Sequence, residues 1–140
     1  MSMMNSNDEI KGACCVIQNS AGKYLLQMRD DNEGIFNPLK WSFFGGATEG
    51  HDPELTMIIE LDEELDIHIY RDDITFLYTD VVNGSLASFF KLNRTIEWLS
   101  FNLHEGAGAG FFTVDEALKI DCAEHTRKYF QKLKEENSDT

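Results

Sequence analysis

Residues Gly45–Ile67 read GGATEGHDPELTMIIELDEELDI and contain the most informative sequence pattern of the chain. After its Gly-Gly pair, Asp52 and Pro53 form a helix start, because Asp caps helix N-termini and Pro fits the first helical turn. We therefore predict a helix from Pro53 to about Leu65. Four apolar residues share one arc of that helix, at about 100° per residue, and are expected to face the core: Met57, Ile58, Leu61 and Leu65.

The same helix carries three glutamates on a neighbouring arc: Glu60, Glu63 and Glu64. Residues at positions i, i+3 and i+4 are neighbours, and like charges there cost about 0.2–0.5 kcal/mol per pair in an isolated helix. No Lys or Arg lies within Gly45–Ile67 to offset this repulsion. The face is either a solvated acidic surface or a site for a cation, and oxygen ligands suit Mg²⁺ or Mn²⁺. The preceding Gly-Gly bend, where backbone can approach a ligand closely, favours the cation site.

The chain as a whole is short and acidic. Its 140 residues suffice for one domain. Against 12 basic side chains it has 25 acidic ones, so its formal net charge is −13. This charge disfavours a nucleic-acid polymer or an anionic membrane surface as a partner. It allows small phosphorylated ligands, because a bound divalent cation can reverse the local field.

Cysteine usage and hydropathy favour a cytoplasmic protein. Cys14, Cys15 and Cys122 lack the spacing of a zinc site and are odd in number, so we expect buried, reduced thiols. No stretch approaches the ~20 apolar residues of a membrane helix, and the N-terminus lacks the layout of a signal peptide. We expect a single domain at residues 10–135, between flexible tails at 1–9 and 136–140.

Strand and helix patterns alternate along the chain and predict an α/β (α+β) domain. Gly12–Gln18 and Lys23–Arg29 are predicted strands that a turn could join into a hairpin, and Trp41–Phe44 is a short strand that Gly45 and Gly46 stop. Asn83-Gly84 predicts a hairpin turn. The remaining predicted elements are strands at 75–82, 86–92 and 97–103 and helices at 114–120 and 123–133.

Gly45–Ile67 resembles the Nudix box, G-x5-E-x7-R-E-U-x-E-E-x-G-U, in which U is a bulky aliphatic residue. Anchored on the first glycine, the pattern places residues 60–64 (ELDEE) on its E-U-x-E-E core. LLQMRDD before the box and EGAGAGFF after it also resemble a Nudix subgroup, so that the resemblance extends from about residue 12 to 112. Three positions depart from the pattern: His51 stands where the family has Glu, Ile59 where it has Arg and Asp66 where it has Gly.

The resemblance implies a Nudix fold, with a mixed β-sheet between helices, and hydrolysis of a nucleoside diphosphate linked to another moiety. It also implies a set of residues that bind Mg²⁺ or Mn²⁺ and act in catalysis: Glu60, Glu63 and Glu64. A carbonyl of Gly45 or Gly46 could add a ligand at the substrate site. The general base would be either a box glutamate or Glu105 on the later loop. Arg29 would either contact a phosphate or form a surface ion pair with a neighbouring aspartate.

Two rival hypotheses stay open. In the family the box arginine helps to orient the catalytic glutamates, so Ile59 and His51 also fit a Nudix-fold nucleotide-binding module with little or no catalysis. The third hypothesis is an acidic interaction domain without a metal site. For both the hydrolase and the nucleotide-binding module, the expected partner is a small nucleotide diphosphate derivative. A homodimer is left open. Trp41, Phe43 and Phe44 could stack on a base, but strand aromatics more often belong to the core.

Overall fold

The computed structural model describes residues 9–28, 40–97, 103 and 108–138. Within these ranges the strands are β1 (Ile10–Val16), β2 (Tyr24–Met28), β3 (Trp41–Ser42), β4 (Phe44–Ala47), β5 (Ile74–Val82), β6 (Ser85–Leu92) and β7 (Gly108–Phe112). The helices are α1 (Pro53–Leu65), α2 (Val114–Ala117) and α3 (Glu124–Ser138), and a 3₁₀ turn spans Arg71–Asp73. The predicted mixture of strands and helices is confirmed.

The described strands form two sheets. The four-stranded sheet has the order β4-β1-β6-β5 and is mixed, because β1 runs parallel to β6 while the other pairs are antiparallel. The three-stranded sheet, β3-β2-β7, is antiparallel. Alternate residues of β1 belong to two apolar clusters, one packed on α1 and the other on α3. The mixed sheet therefore lies between helices, as predicted.

The predicted hairpin between the first two strands forms only next to its turn. There Gln18 and Tyr24 form an antiparallel bridge, with Leu25 N donating to Ile17 O and Asn19 N donating to Lys23 O, both at 2.9 Å. Beyond this bridge the prediction fails, because β1 and β2 lie in different sheets. Both strands are largely buried, and a buried strand needs hydrogen-bonded neighbours on both sides. β1 finds them in β4 and β6, and β2 in β3 and β7, all of which come later in the chain.

The prediction that Gly45 and Gly46 stop a strand is wrong, because both glycines lie inside β4. The chain breaks at Phe43, between β3 and β4, and Gly45 pairs with Cys14 inside β4. A Cβ atom on Gly45 would overlap the carbonyl oxygen of Ala13. The glycine therefore lets β4 approach β1 closely instead of ending the strand.

Other local predictions are confirmed. Asn83 and Gly84 have φ values of 52° and 85° and turn the β5–β6 hairpin. All three cysteines are buried free thiols. Helix α2 is shorter than predicted, because the chain after it leaves to pair with β3, where Trp41 N donates to Asp121 O at 2.9 Å. No helix among the described residues is both long enough and apolar enough to cross a bilayer.

The aromatic residues near the glycine pair belong mainly to the core. Phe43 and Phe44 are buried, and the ring of Phe43 lies 5.2 Å from that of Tyr129 on α3. Trp41 is half-buried and its ring lies 4.9 Å from that of Phe112 on β7. These contacts confirm the core assignment over base stacking for the two phenylalanines.

Candidate active site

Helix α1 begins and ends as its sequence predicts. Asp52 is the N-cap, and its Oδ1 accepts a hydrogen bond from Leu55 N at 2.8 Å. The Arg71 guanidinium and then the Leu55 N–H stabilise the charged form of Asp52, which holds the pKa of that carboxyl below its usual value. At the other end Asp66 takes the left-handed conformation, with φ 56°, and its N–H donates to Asp62 O. Asp can adopt this conformation at modest cost, so the missing glycine leaves the helix end intact.

The predicted core face of α1 is confirmed. Met57, Leu61 and Leu65 are fully buried in the cluster that contains alternate residues of β1, and Ile58 packs against its edge. Contacts with β1 and β4 fix the helix against the edge of the sheet that carries the glycine pair. The position of the acidic arc is therefore set by the apolar arc beside it.

The three glutamates of α1 lie at different depths. Glu64 is 3% exposed, Glu60 is half-buried and Glu63 is exposed. On the helical wheel Glu64 lies only about 20° from Met57 and Glu63 about 120° from it, so the depths follow from distance to the core face. The burial of Glu64 was not predicted from the sequence, although this angle carries the signal.

Glu60 lies directly against the Gly-Gly strand. A Cβ atom added to Gly46 would be 2.7 Å from both Cδ and Oε1 of Glu60. Real Cβ atoms do not approach other atoms so closely, so the space above Gly46 is available to the carboxylate only because the residue is glycine. The two sequence features, glycine pair and acidic helix, thus meet at one point.

The donor set suits a hard divalent cation. Carboxylate and carbonyl oxygens are the ligands that Mg²⁺ prefers, and Mg²⁺ needs only one or two carboxylates when waters and phosphates complete its shell. Glu60 lies beside the backbone of Gly46, and Glu64 is four residues further along α1. Among the described residues, no three acidic, histidine or cysteine side chains are close enough together to hold an ion by themselves. The residues present fit a cation that shares its ligands with a substrate.

Two side chains from the stretch of chain after α1 contact acidic residues on the outer side of the acidic segment. Arg71 Nη2 donates to Asp52 Oδ2 at 3.0 Å, and Arg71 Nη1 donates to Glu54 Oε1 at 2.6 Å. His68 Nδ1 lies 2.8 Å from Asp62 Oδ1. These contacts were not predicted from the sequence. Arg71 is the first Lys or Arg after the acidic segment, which is the signal that could have found it.

A cavity of about 290 Å³ opens on the opposite face of the four-stranded sheet. It is bordered by the backbone of Gly45 and Gly46, by Cys14 and Ala87 of the neighbouring strands, and by His125 at the start of α3. Its described lining contains one lysine, Lys11, and no Asp or Glu. Burial raises the pKa of the Cys14 thiol well above its usual value, so this wall of the cavity is neutral. Sequence periodicity could not find this cavity, because its lining comes from five strands and a helix that lie far apart in the chain.

Some predicted site residues lie outside the described residues. These are Arg29 and Glu105, together with most of the predicted strand at 97–103. Of the other predicted site residues, the structure brings Glu60 to Gly46 and buries Glu64 on the same helix. Gly45 serves the approach of β4 to β1 and also borders the cavity.

Comparison with solved structures identifies the fold. A MutT protein from Methanosarcina mazei Go1 is 19% identical, with a TM-score of 0.71 over 96% of this chain and 99% of that one. A MutT structure from a study of Aliivibrio salmonicida and Vibrio cholerae is 20% identical, with a TM-score of 0.70 over 88% and 94% of the two chains. The NUDIX domain of Shewanella oneidensis NrtR, complexed with ADP ribose, is 16% identical, with a TM-score of 0.67 over 91% and 88%.

The chain therefore has the Nudix fold, as the resemblance of its box implied. No family model matches the sequence. No curated protein matches it either.

Proposed function

We propose that this chain is a divalent-metal-dependent Nudix-type hydrolase that cleaves the diphosphate of a nucleotide derivative. The observation that carries the proposal is the seating of Glu60 on Gly46, with the buried Glu64 one turn further along α1. A buried carboxylate is costly unless it is paired, hydrogen-bonded or bound to a metal. The seating of Glu60 on a glycine strand in a Nudix fold, with the buried Glu64 on the same helix, supports metal and diphosphate binding.

The residues of α1 divide this work. Glu60 and Glu64 would hold Mg²⁺ or Mn²⁺, with Glu63 and a carbonyl of Gly45 or Gly46 as further ligands. The bound ion would neutralise the diphosphate and lower the pKa of a water. Glu63 is exposed, so it can accept a proton from solvent-side water and serve as the base. Glu105 remains the alternative base, and Arg29 remains a candidate phosphate ligand.

The cavity suits the organic part of the substrate. It lies across the sheet from α1 and shares Gly45 and Gly46 with the acidic site, so one extended molecule could contact both. Its neutral wall and single lysine fit an uncharged heterocycle whose anionic tail leads towards the glycine pair. The NrtR domain in complex with ADP ribose is a precedent, within this fold, for a nucleotide diphosphate ligand of this kind.

A second candidate function is nucleotide binding with little catalysis. Ile59 is half-buried at the position of the box arginine, and His51 is exposed where the box has an acid. Neither residue can supply the arginine–carboxylate pairing that orients the glutamates in the family. If this candidate is correct, replacing both residues by the family's types, Ile59→Arg with His51→Glu, should raise turnover by at least about tenfold.

The test compares binding and hydrolysis on the same ligands. Nucleoside triphosphates, nucleotide sugars and ADP ribose are incubated with the protein and Mg²⁺ or Mn²⁺, and products are separated chromatographically. Calorimetry on the same set measures binding. Hydrolysis that EDTA abolishes supports the enzyme. Binding without hydrolysis supports the binding module, and neither binding nor hydrolysis would reject both.

A further inference from the structure

After Asp66, whose left-handed conformation ends α1, the chain runs back along the helix. We call residues 66–73 the strap. Ile67 and Ile69 are buried in the apolar cluster that also contains the core-facing residues of α1. These two side chains therefore fix the strap to the core. On the outer side of the strap, His68 contacts Asp62 near the end of α1. Arg71 contacts the acidic residues at the beginning of α1. The strap therefore spans α1 from end to start.

Arg71 binds the beginning of α1 through three hydrogen bonds. Its Nη1 and Nη2 donate to Oδ1 and Oδ2 of Asp52 at 3.2 and 3.0 Å, and Nη1 also donates to Glu54 Oε1 at 2.6 Å. Asp52 is at the same time the N-cap of the helix. A planar guanidinium that binds a carboxylate in two places fixes its orientation as well as its position, which a lysine cannot do.

Asp52 is the last residue of the turn between β4 and α1. Within that turn Glu49 and Gly50 both have positive φ, 49° and 90°, and His51 N donates to Thr48 O at 2.9 Å. A glutamate with positive φ is strained, so the turn needs an outside hold to keep this shape. The same turn sets how α1 lies on β4, and the contact of Glu60 with Gly46 has no space for a methyl group.

We propose that Arg71 is a positioning residue that holds the β4–α1 turn and thereby keeps Glu60 seated on Gly46. This inference rests on the proposed function, because it concerns the metal-binding geometry of the same helix. It assigns a role to a cation outside the box in a chain whose box has Ile59 in place of arginine. The other basic side chain of the strap, His68, contacts the opposite end of α1 and is not part of this hold.

The direction in which cation affinity changes distinguishes a positioning role of Arg71 from a simple effect of its charge. Removing the positive charge of Arg71 makes the acidic segment more negative, and by Coulomb attraction alone this would tighten the binding of a divalent cation. If Arg71 positions the helix, its removal instead weakens that binding. A contribution to stability alone would lower the thermal midpoint and leave cation affinity in the folded protein unchanged.

The experiment titrates Mn²⁺ into the full chain, following free Mn²⁺ by electron paramagnetic resonance. It compares the wild type with Arg71→Gln, Arg71→Lys and the control Lys134→Gln. Lys134 also forms an exposed ion pair, with Asp115 at 3.1 Å, and its replacement removes the same charge far from α1. We expect Arg71→Gln to weaken Mn²⁺ binding by about threefold to tenfold. Arg71→Lys should fall between it and the wild type, and Lys134→Gln should stay within about twofold of the wild type.

Each outcome bears on a different statement. If folded Arg71→Gln binds Mn²⁺ as tightly as the wild type or more tightly, the positioning role is wrong while the proposed function stands. If the wild type does not bind Mn²⁺, the metal-dependent function is wrong and the positioning role falls with it. Circular dichroism at the titration temperature confirms that each variant is folded. If Arg71→Gln is unfolded, Arg71→Lys provides the test, because it keeps the charge but cannot bind a carboxylate in two places.

Discussion

At the scale of single residues, the two glycines of the Gly-Gly pair have different tasks. Gly45 has no space for a side chain because backbone of β1 lies against it, whereas the space at Gly46 is filled by the end of a flexible side chain, Glu60. Backbone cannot move aside without breaking strand pairing, but a carboxylate can rotate away. Gly45 is therefore required for folding, whereas Gly46 makes room for Glu60 at the candidate site.

We predict that alanine at these two positions separates stability from cation binding. Gly45→Ala should destabilise the fold by about 1–3 kcal/mol, the usual cost of overpacking. Gly46→Ala should leave the fold intact and weaken Mn²⁺ binding by about tenfold, since Glu60 is displaced. Thermal denaturation and Mn²⁺ titration measure the two effects. Gly12→Ala is the control, because its added Cβ would lie 3.5 Å from Ala87 Cβ, an ordinary contact. Equal behaviour of all three variants would contradict the assignment.

At the scale of elements, α1 depends on charged contacts at its start. The pKa of Asp52 lies below its ordinary value of 3.8, because Arg71 and the Leu55 N–H bind the charged carboxylate. A group whose pKa is lowered in the folded state contributes stability above its unfolded pKa and loses that contribution as pH falls through the folded value. The contact between Arg71 and Asp52 at the β4–α1 turn therefore weakens when acid protonates Asp52.

We predict that Asp52→Asn lowers the thermal midpoint at neutral pH and that its difference from the wild type shrinks as pH falls below 3.8. Asn still caps a helix, so the variant tests the charge and not the cap. Thermal unfolding followed across this pH range provides the measurement. A difference that stays constant down to strongly acidic pH would show that the charge of Asp52 contributes nothing.

The elements also show how far the sequence alone could predict this structure. The bounds of α1 were predicted because its signals are local: a cap, a proline and an apolar period. The β1–β2 hairpin was correct only next to its turn, because further along each strand takes its neighbours from distant parts of the chain. The box pattern could have predicted the Glu60–Gly46 contact. The contact of Arg71 with α1 and the cavity could not be predicted, because they depend on tertiary packing that no sequence spacing encodes.

At the scale of the whole molecule, the net charge of −13 is concentrated in one segment. Gly45–Ile67 holds eight acidic and no Lys or Arg side chains, so the remainder of the chain carries 17 acidic against 12 basic groups. Self-repulsion of this kind destabilises the compact state, and a bound divalent cation relieves it. The acidity is thus a property of the candidate site more than of the general surface.

We predict that Mg²⁺ raises the thermal midpoint of the wild type beyond what salt of equal ionic strength does. A ligand that binds only the folded state stabilises it by about 2.7 kcal/mol at 100 times its dissociation constant. The control is KCl at the same ionic strength, which screens charge without occupying a site. If the two salts raise the midpoint equally, the acidic segment is a solvated face, and the interaction domain without a metal site becomes the better account.

If the acids of α1 that lie nearest the core act in hydrolysis, removing the carboxylate of Glu60 must slow the reaction more than removing a neighbouring acid of the same helix. The rate of Mg²⁺-dependent diphosphate hydrolysis is compared between Glu60→Gln and Asp62→Asn, which remove one negative charge each from the same helix. Glu60 lies on Gly46, whereas Asp62 contacts only His68 among the basic side chains of the described residues. We predict that Glu60→Gln loses about 10–100-fold in rate and that Asp62→Asn stays close to the wild type. Equal rates for the two variants, or hydrolysis that persists in EDTA, would contradict the account.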